Sequence, residues 1–232
     1  MKAIILAAGE GSRMRPLTEN IPKPMLTVLG KPLLSYILES LPDAITEFII
    51  VVGHKNEVIR DFLGTAYNGK KITYVFQEKK TGTADAFKLC RPYLAKEERF
   101  LLSYADDIYD KASIVRCLNH QYALLVVETE EPWRYGVVTL HTDGSVLAIE
   151  EKPTHPKSNL IAPGIYILDT HIFDYEPRAV KGEYYFTTML DQFIQEHKVF
   201  IEKADFWVTI GYPHDLKKAE DLLKGEIDKI TT

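Results

Sequence analysis

The chain has 232 residues, 46% of them hydrophobic, and a formal net charge of −5. This suits a globular protein with a sizeable core and excludes a disordered chain; the acidic balance excludes general affinity for nucleic acid, so any basic cluster must act locally. No apolar run approaches the ~20 residues needed to span a bilayer. The apolar start is short and runs straight into glycines, so no cleavable leader is expected. Cys90 and Cys117 are the two cysteines. They lack metal-ligand spacing, and are expected to be reduced and structural, in a cytoplasmic protein. There are no repeats or low-complexity tracts.

Lys2 to Ala8 is an apolar run without alternation, which predicts a central strand of a parallel sheet covered on both faces. Gly9-Glu10-Gly11-Ser12-Arg13-Met14-Arg15-Pro16 follows, then Lys23 within Ile21 to Met25. The glycines allow a tight turn and close backbone approach to a ligand. Two arginines and a lysine beside bare backbone N–H groups suit a polyphosphate. A Rossmann loop fails because Met14 stands at the third glycine position and Pro16 discourages a helix. A P-loop fails because Ser12-Arg13, and not Lys-Ser/Thr, follows Gly11. An ordinary glycine turn with solvated basic residues is the plain alternative; the basic residues and the long Pro-rich loop weigh against it.

Next, Lys31 to Leu41 predicts a helix with Pro32 near its first turn. Glu47 to Val52 reads as a second buried strand, Asn56 to Leu63 as an amphipathic helix closed by Gly64, and Ile72 to Phe76 as a third strand. This alternation marks an α/β sheet. Gln77 ends the third strand, and Thr81-Gly82-Thr83-Ala84 opens another helix. Phe100 to Tyr104 is a strand running into Ala105-Asp106-Asp107. Carboxylates at a strand's carboxyl end, facing a loop suited to a polyphosphate, suit Mg²⁺ held jointly with phosphate oxygens. Capping of the next helical segment is the alternative, and it is the expectation for Asp107.

The second half changes character. Tyr122 to Glu128 is strand-like, and Tyr135 to Leu140 and Val146 to Glu150 flank a Thr142-Asp143-Gly144 turn, a hairpin signal. Glu151-Lys152-Pro153 and Lys157-Ser158-Asn159 lead to Pro163-Gly164-Ile165-Tyr166-Ile167. Gly182-Glu183 to His197 reads as one long helix, and Pro213 starts a last helix over Asp215 to Ile230.

Leu6-Ala7-Ala8-Gly9-Glu10-Gly11-Ser12-Arg13-Met14, with Pro22-Lys23-Pro24, closely resembles the opening of the sugar-phosphate nucleotidyltransferases, or nucleoside-diphosphate-sugar pyrophosphorylases. Tyr135-Gly136, Glu151-Lys152-Pro153, Gly164-Ile165-Tyr166 and Phe206 to Pro213 follow in that family's order, so the resemblance runs through effectively the whole chain and is nearest to the glucose-1-phosphate thymidylyl- and uridylyltransferases. It implies a Rossmann-like α/β fold with a mixed, mainly parallel sheet and a β-rich sugar-binding part. It implies a single domain over 1–232, with 1–120 mainly nucleotide-binding and 121–232 mainly sugar-phosphate-binding. No left-handed β-helix repeats follow, so the acyltransferase domain of the bifunctional relatives is not expected.

The resemblance also implies roles. Leu6, Ala7, Gly9, Gly11, Ser12, Arg13, Gln77, Gly82 and Thr83 would bind the nucleotide, with Arg13 on the β- and γ-phosphates. Lys23 would stabilise charge at the α-phosphate. An amide such as Gln77 offers a donor and an acceptor to a uracil or thymine edge, which favours UTP or dTTP over GTP. Asp106 would ligate Mg²⁺, although Ala105 replaces the family's usual glycine. Tyr104, Gly136, Glu151, Lys152, Ala162 and Tyr166 would face the sugar phosphate, with Glu151 on sugar hydroxyls and Lys152 on the phosphate. Ala162 matches the small apolar residue of the glucose 1-phosphate branch, where N-acetylglucosamine branches carry Asn. Two positions depart from the pattern: Thr188 and Thr209 stand where Asp is common, and at 209 that Asp is the second metal ligand.

The expected partners are a nucleoside triphosphate and a sugar 1-phosphate, with neither nucleic acid nor membrane, and a homo-oligomer is left open. Mannose, N-acetylmuramic acid or a heptose 1-phosphate are the alternative acceptors, with GTP or UTP. A nucleotide- or sugar-binding regulator without catalysis is the alternative of another class, motivated by Thr209 and Thr188.

Overall fold

The computed structural model of the chain describes residues 1–225. In chain order, β1 (Lys2–Ala7) leads through the small ribbon β2 (Thr27–Val28) and β3 (Lys31–Pro32) to α1 (Leu33–Ser40). Then come β4 (Glu47–Val52), α2 (Asn56–Leu63), β5 (Ala66–Tyr67), β6 (Lys70–Phe76), α3 (Thr83–Lys88) and β7 (Arg99–Tyr104). Beyond these lie β8 (Asp107–Tyr109), α4 (Lys111–Cys117), β9 (Ala123–Glu128), β10 (Gly136–Leu140), β11 (Val146–Glu151), β12 (Leu160–Ala162) and β13 (Ile165–Asp169). The last elements are β14 (Ala179–Val180), β15 (Glu183–Tyr184), α5 (Thr187–Phe193), β16 (Phe200–Lys203), β17 (Trp207–Thr209) and α6 (Pro213–Leu223).

Eleven strands form one mixed sheet, in the order β11-β10-β12-β9-β13-β7-β1-β4-β6-β5 with β16 added to β9. The β1 run lacks alternation because it is covered twice: Ile4 and Leu6 enter one core, Ala3, Ile5 and Ala7 the other. β1 pairs in parallel with β4 and β7, and β4 with β6. Their carboxyl ends therefore share one edge, the place where open α/β sheets bind ligands. β13 runs antiparallel to β7, which brings Gly164, just before it, to the same edge, and Gly164 O accepts from Tyr104 N at 3.0 Å. β9 to β12 continue antiparallel and form the expected β-rich part. The hairpin turn is present, with Gly144 at φ 82 and Asp143 Oδ1 accepting from Ser145 N at 3.0 Å.

Three expectations need correction. Gly182 to His197 is not one helix. Gly182 makes a turn at φ 86, Glu183 and Tyr184 pair back onto Val180 and Ala179, and only Thr187–Phe193 is helical. The backbone of Tyr184 is taken instead by Thr81 O, which accepts its N–H at 2.9 Å, so tertiary pairing overrides the local helical pattern. Asp107 does not cap a helix: it sits buried in β8, and Asp110 caps α4, its Oδ2 accepting from Ser113 N at 2.7 Å. The first helix begins at Leu33, because Lys31 and Pro32 pair with Val28 and Thr27. The expected extension of the last helix to Ile230 lies outside the described residues.

Among the described residues no helix is long and apolar enough to cross a membrane. Cys90 and Cys117 are both free and buried, and burial pushes each thiol up to about 12.

Candidate active site

Two adjoining cavities, of about 660 and 210 Å³, open at the edge shared by β1 and β7. The larger is floored by Leu6, Ala7 and the glycine loop. Gly11 adopts φ 63, and a Cβ there would lie 2.9 Å from Lys23 Cβ, so only glycine fits the turn. Gly11 O accepts from Met14 N at 2.8 Å and from Thr18 Oγ1 at 2.8 Å. Met14 is buried with Ile108 and Ile210; this anchor holds the short 3₁₀ turn Ser12–Met14, from which Arg13 reaches both cavities. The Arg13 guanidinium lies over the Tyr212 ring, 5.4 Å from its centroid. Lys23 is buried, and its Nζ donates to Asp106 Oδ2 at 2.9 Å.

Gln77 and Gly82 meet in the same cavity, Nε2 of Gln77 donating to Gly82 O at 3.3 Å. Gly82 adopts φ 130, and a Cβ on it would come within 2.1 Å of Tyr184 O. Thr83 lines both cavities and begins α3. Across the larger cavity Lys80 Nζ pairs with Glu10 Oε1 at 2.5 Å, which joins the glycine loop to the 80–83 segment.

Strand register assembles the smaller cavity. Gly136 stands opposite Glu151 on one side and Ala162 on the other, so three residues far apart in sequence become direct neighbours. The Glu151 side chain is buried and accepts from Thr187 Oγ1 at 2.7 Å; burial raises its carboxyl above the usual glutamate range, against the pull of Thr187 and Lys152. Tyr104 and Tyr166 form an aromatic wall, with ring centroids 5.9 Å apart. Lys152 Nζ donates to Tyr185 Oη at 2.6 Å.

Asp106, Asp107 and Thr209 line this cavity together. Thr209 stands directly opposite Asp107 in the β8–β17 pair, an arrangement that puts both side chains on one face. Asp107 Oδ2 accepts from Trp207 Nε1 at 2.9 Å. Burial, aided by the neighbouring Asp106, raises its carboxyl above the usual aspartate range. Among the described residues no three His, Cys, Asp or Glu side chains converge to hold a metal. The residues therefore do not fit an all-protein cage. They do fit Mg²⁺, which is usually held by one or two carboxylates together with substrate phosphates: Asp106 reaches both cavities beside the glycine loop.

Every residue expected at the nucleotide or sugar site lines one of these cavities, and Arg13, Thr83, Tyr104, Asp106 and Lys152 line both. Sequence reasoning missed Tyr185, Glu183 and Thr187, which lie in the segment read as helix. It also missed Arg134, whose guanidinium lies 5.1 Å from the Tyr212 centroid; its place just before Tyr135-Gly136 was the available signal.

The model of the nucleotidyl transferase family matches residues 2–225. The chain belongs to this family. A UTP–glucose-1-phosphate uridylyltransferase, AglF of Haloferax volcanii, is 35% identical over 246 residues, covering 100% of both chains. The bifunctional protein GlmU of Methanocaldococcus jannaschii is 36% identical over 236 residues, and here this nucleotidyl transferase spans only 56% of the relative's length. Among solved structures, a Bacillus anthracis protein assigned as a glucose-1-phosphate thymidylyltransferase superposes with a TM-score of 0.85 at 28% identity, covering 96% of this chain and 94% of that one. A UDP-glucose pyrophosphorylase complexed with UDP-glucose shares the fold, with a TM-score of 0.82 at 23% identity, covering 97% and 98%. The mixed, mainly parallel sheet is thus the fold of nucleotide-sugar transferases.

Proposed function

We propose that this nucleotidyl transferase joins UTP or dTTP to a sugar 1-phosphate, with glucose 1-phosphate the first candidate, releasing pyrophosphate. The observation that carries this reading is the pair of adjoining cavities with Arg13, Asp106 and Lys152 at their junction. The larger is framed by the glycine loop, as a triphosphate requires; the smaller holds a buried carboxylate beside an ammonium, as a sugar phosphate requires. On this reading residues 1–120 supply most of the nucleotide side and 121–232 most of the sugar side, within one domain.

An oxygen of the sugar phosphate attacks the α-phosphorus in line. The bond from that phosphorus to the bridging oxygen breaks, and the pair of electrons leaves with pyrophosphate. The protein contributes positioning and charge stabilisation. Arg13 holds the leaving pyrophosphate and Lys152 the attacking phosphate. Lys23, now paired with Asp106, meets the α-phosphate from its buried position. Glu151 accepts from sugar hydroxyls, and Gln77 with Gly82 reads the pyrimidine edge. Asp106 would hold Mg²⁺ together with the substrate phosphates, and the ion would neutralise part of their charge. A reduced cytoplasmic setting agrees with the two free cysteines.

The base and the sugar are supported by Gln77, by Ala162 and by the name of the Haloferax relative. A second reading, a nucleotide-binding regulator without turnover, is favoured by one observation: Thr209 places a neutral hydroxyl at a position of the smaller cavity. The test is release of pyrophosphate from UTP or dTTP with a panel of sugar 1-phosphates and Mg²⁺. Release is expected with at least one pair. Nucleotide binding without release from any pair would establish the regulator instead.

A further inference from the structure

The segment from β14 to α5 touches both cavities, and its reading here rests on their taking a nucleotide and a sugar 1-phosphate. Its backbone is fastened to the nucleotide side. Tyr184 N donates to Thr81 O and Phe186 N to Thr83 Oγ1, both at 2.9 Å. Gly82 lies so close to Tyr184 that no side chain fits between them. Gly82 O is also the acceptor for Gln77, so this segment braces the loop assigned to the base.

The same segment grips Lys152 at both ends. Lys181, at the β14–β15 turn, donates through Nζ to Lys152 O at 3.1 Å. Tyr185 accepts from Lys152 Nζ at 2.6 Å, and its ring centroid lies 4.1 Å from that nitrogen. The Lys152 backbone is held at φ 46, a region that non-glycine residues seldom adopt, and its N–H donates to Tyr135 O at 2.9 Å. Backbone and ammonium are therefore both fixed. An ammonium has three N–H donors; Tyr185 takes one and leaves the others for phosphate oxygens. Glu151 Oε1 waits 3.8 Å from Nζ, too far for a hydrogen bond but near enough to compete for the charge. Burial and the neighbouring Glu183 push the Tyr185 phenol upward, so it stays neutral.

We propose that Tyr185 is a positioning residue: it holds Lys152 off Glu151 and aims it at the phosphate of the sugar 1-phosphate. Through the fastened segment 181–186, Lys152 is tied to the 81–83 loop, so a nucleotide seated against that loop bears on the same aim. Removing the hydroxyl lets Lys152 fall back onto Glu151, which weakens the sugar-phosphate side and spares the nucleotide side.

The experiment compares wild type, Tyr185→Phe and Tyr185→Ala. Steady-state kinetics vary each substrate in turn. Calorimetry measures glucose 1-phosphate binding with and without an α,β-methylene analogue of UTP. Tyr185→Phe is expected to raise KM for the sugar phosphate on the order of tenfold, as for one charge-assisted hydrogen bond. Nucleotide affinity and Tm stay at wild-type values, and the analogue tightens glucose 1-phosphate binding less than in wild type. Tyr185→Ala moves the same quantities further. Wild-type KM in Tyr185→Phe, or equal increases for both substrates, would overturn the proposal. If wild type releases no pyrophosphate with any pair, the functional reading falls, and calorimetry alone decides the role of Tyr185. Weaker glucose 1-phosphate binding by Tyr185→Phe then supports it; equal binding, or binding by neither protein, overturns it.

Discussion

The larger cavity, to which we assign the nucleotide, and the smaller one, to which we assign the sugar phosphate, are built in different ways; they are called the nucleotide side and the sugar side on that proposal. The nucleotide side is a set of loops leaving the carboxyl ends of parallel strands, and its polar groups are tied in advance by ion pairs: Lys23 to Asp106 at 2.9 Å and Lys80 to Glu10 at 2.5 Å. The sugar side is a product of strand register. Gly136, Glu151 and Ala162 meet only because β10 pairs with both β11 and β12. Its charged groups are held by neutral hydroxyls, Glu151 by Thr187 and Lys152 by Tyr185. On the proposed assignment, a triphosphate brings a large fixed charge, so the loops can hold their cations against carboxylates until it arrives. A sugar is neutral apart from its phosphate, so its site depends on shape and on hydroxyl partners that keep Glu151 and Lys152 apart.

The sharpest break in this contrast is Lys23→Ala. It removes the buried cation of the nucleotide side and should lower kcat by roughly 10²–10³-fold, the scale of losing one electrostatic contact to a transition state. Pyrophosphate release at saturating substrates measures it, and near-normal turnover would remove Lys23 from the mechanism. Gly82→Ala strikes the joint between the sides. Its Cβ would meet Tyr184 O at 2.1 Å in a backbone at φ 130, so a loss of about 2–3 kcal/mol in denaturant unfolding is expected, with KM raised for both substrates.

Glu151→Gln tests the sugar side alone. KM for the sugar phosphate should rise about tenfold while nucleotide affinity holds. It should also change the pH dependence of stability. The folded carboxyl of Glu151 is raised above its unfolded value, so the folded state binds the extra proton between the two. Its contribution is therefore most favourable below the unfolded glutamate value and is lost as pH rises through the folded one. Unfolding midpoints across that acidic window should fall with pH less steeply in Glu151→Gln than in wild type.

Thr209→Asp has the smallest expected effect. It sets a second carboxylate directly opposite Asp107, where like charges repel, and should cost roughly 1 kcal/mol without metal. Mg²⁺ should recover that loss, read as a larger Mg²⁺-dependent rise in Tm than in wild type; equal rises in both proteins would show that position 209 lies outside the metal's reach.

Much of the larger cavity was legible in the chain itself. Its residues lie in short stretches, Leu6 to Arg13, Pro22 to Pro24 and Gln77 to Thr83; the first leaves a buried strand whose unalternating run shows in sequence, and the last follows β6. Asp107 was misread because a second acid after a strand looks like a helix cap. Nothing local reveals that Asp107 opens a three-residue strand that pairs with β17. Tyr185 was hidden for a similar reason. Gly182 to His197 has the composition of a helix, but Thr81, Thr83 and Gly82 hold its first residues in extended form.

The sequence by itself determined the parallel half of the sheet, the glycine loop and the identity of the cations, because these depend on burial and on backbone freedom at neighbouring positions. Only the tertiary structure decided which groups those cations face. Lys23 meets Asp106 from 83 residues away, and Lys152 meets Tyr185 from 33. Such contacts follow from how β7, β11 and the β14–α5 segment are brought to one edge of the sheet, a matter of strand register and long-range packing that local pattern does not encode.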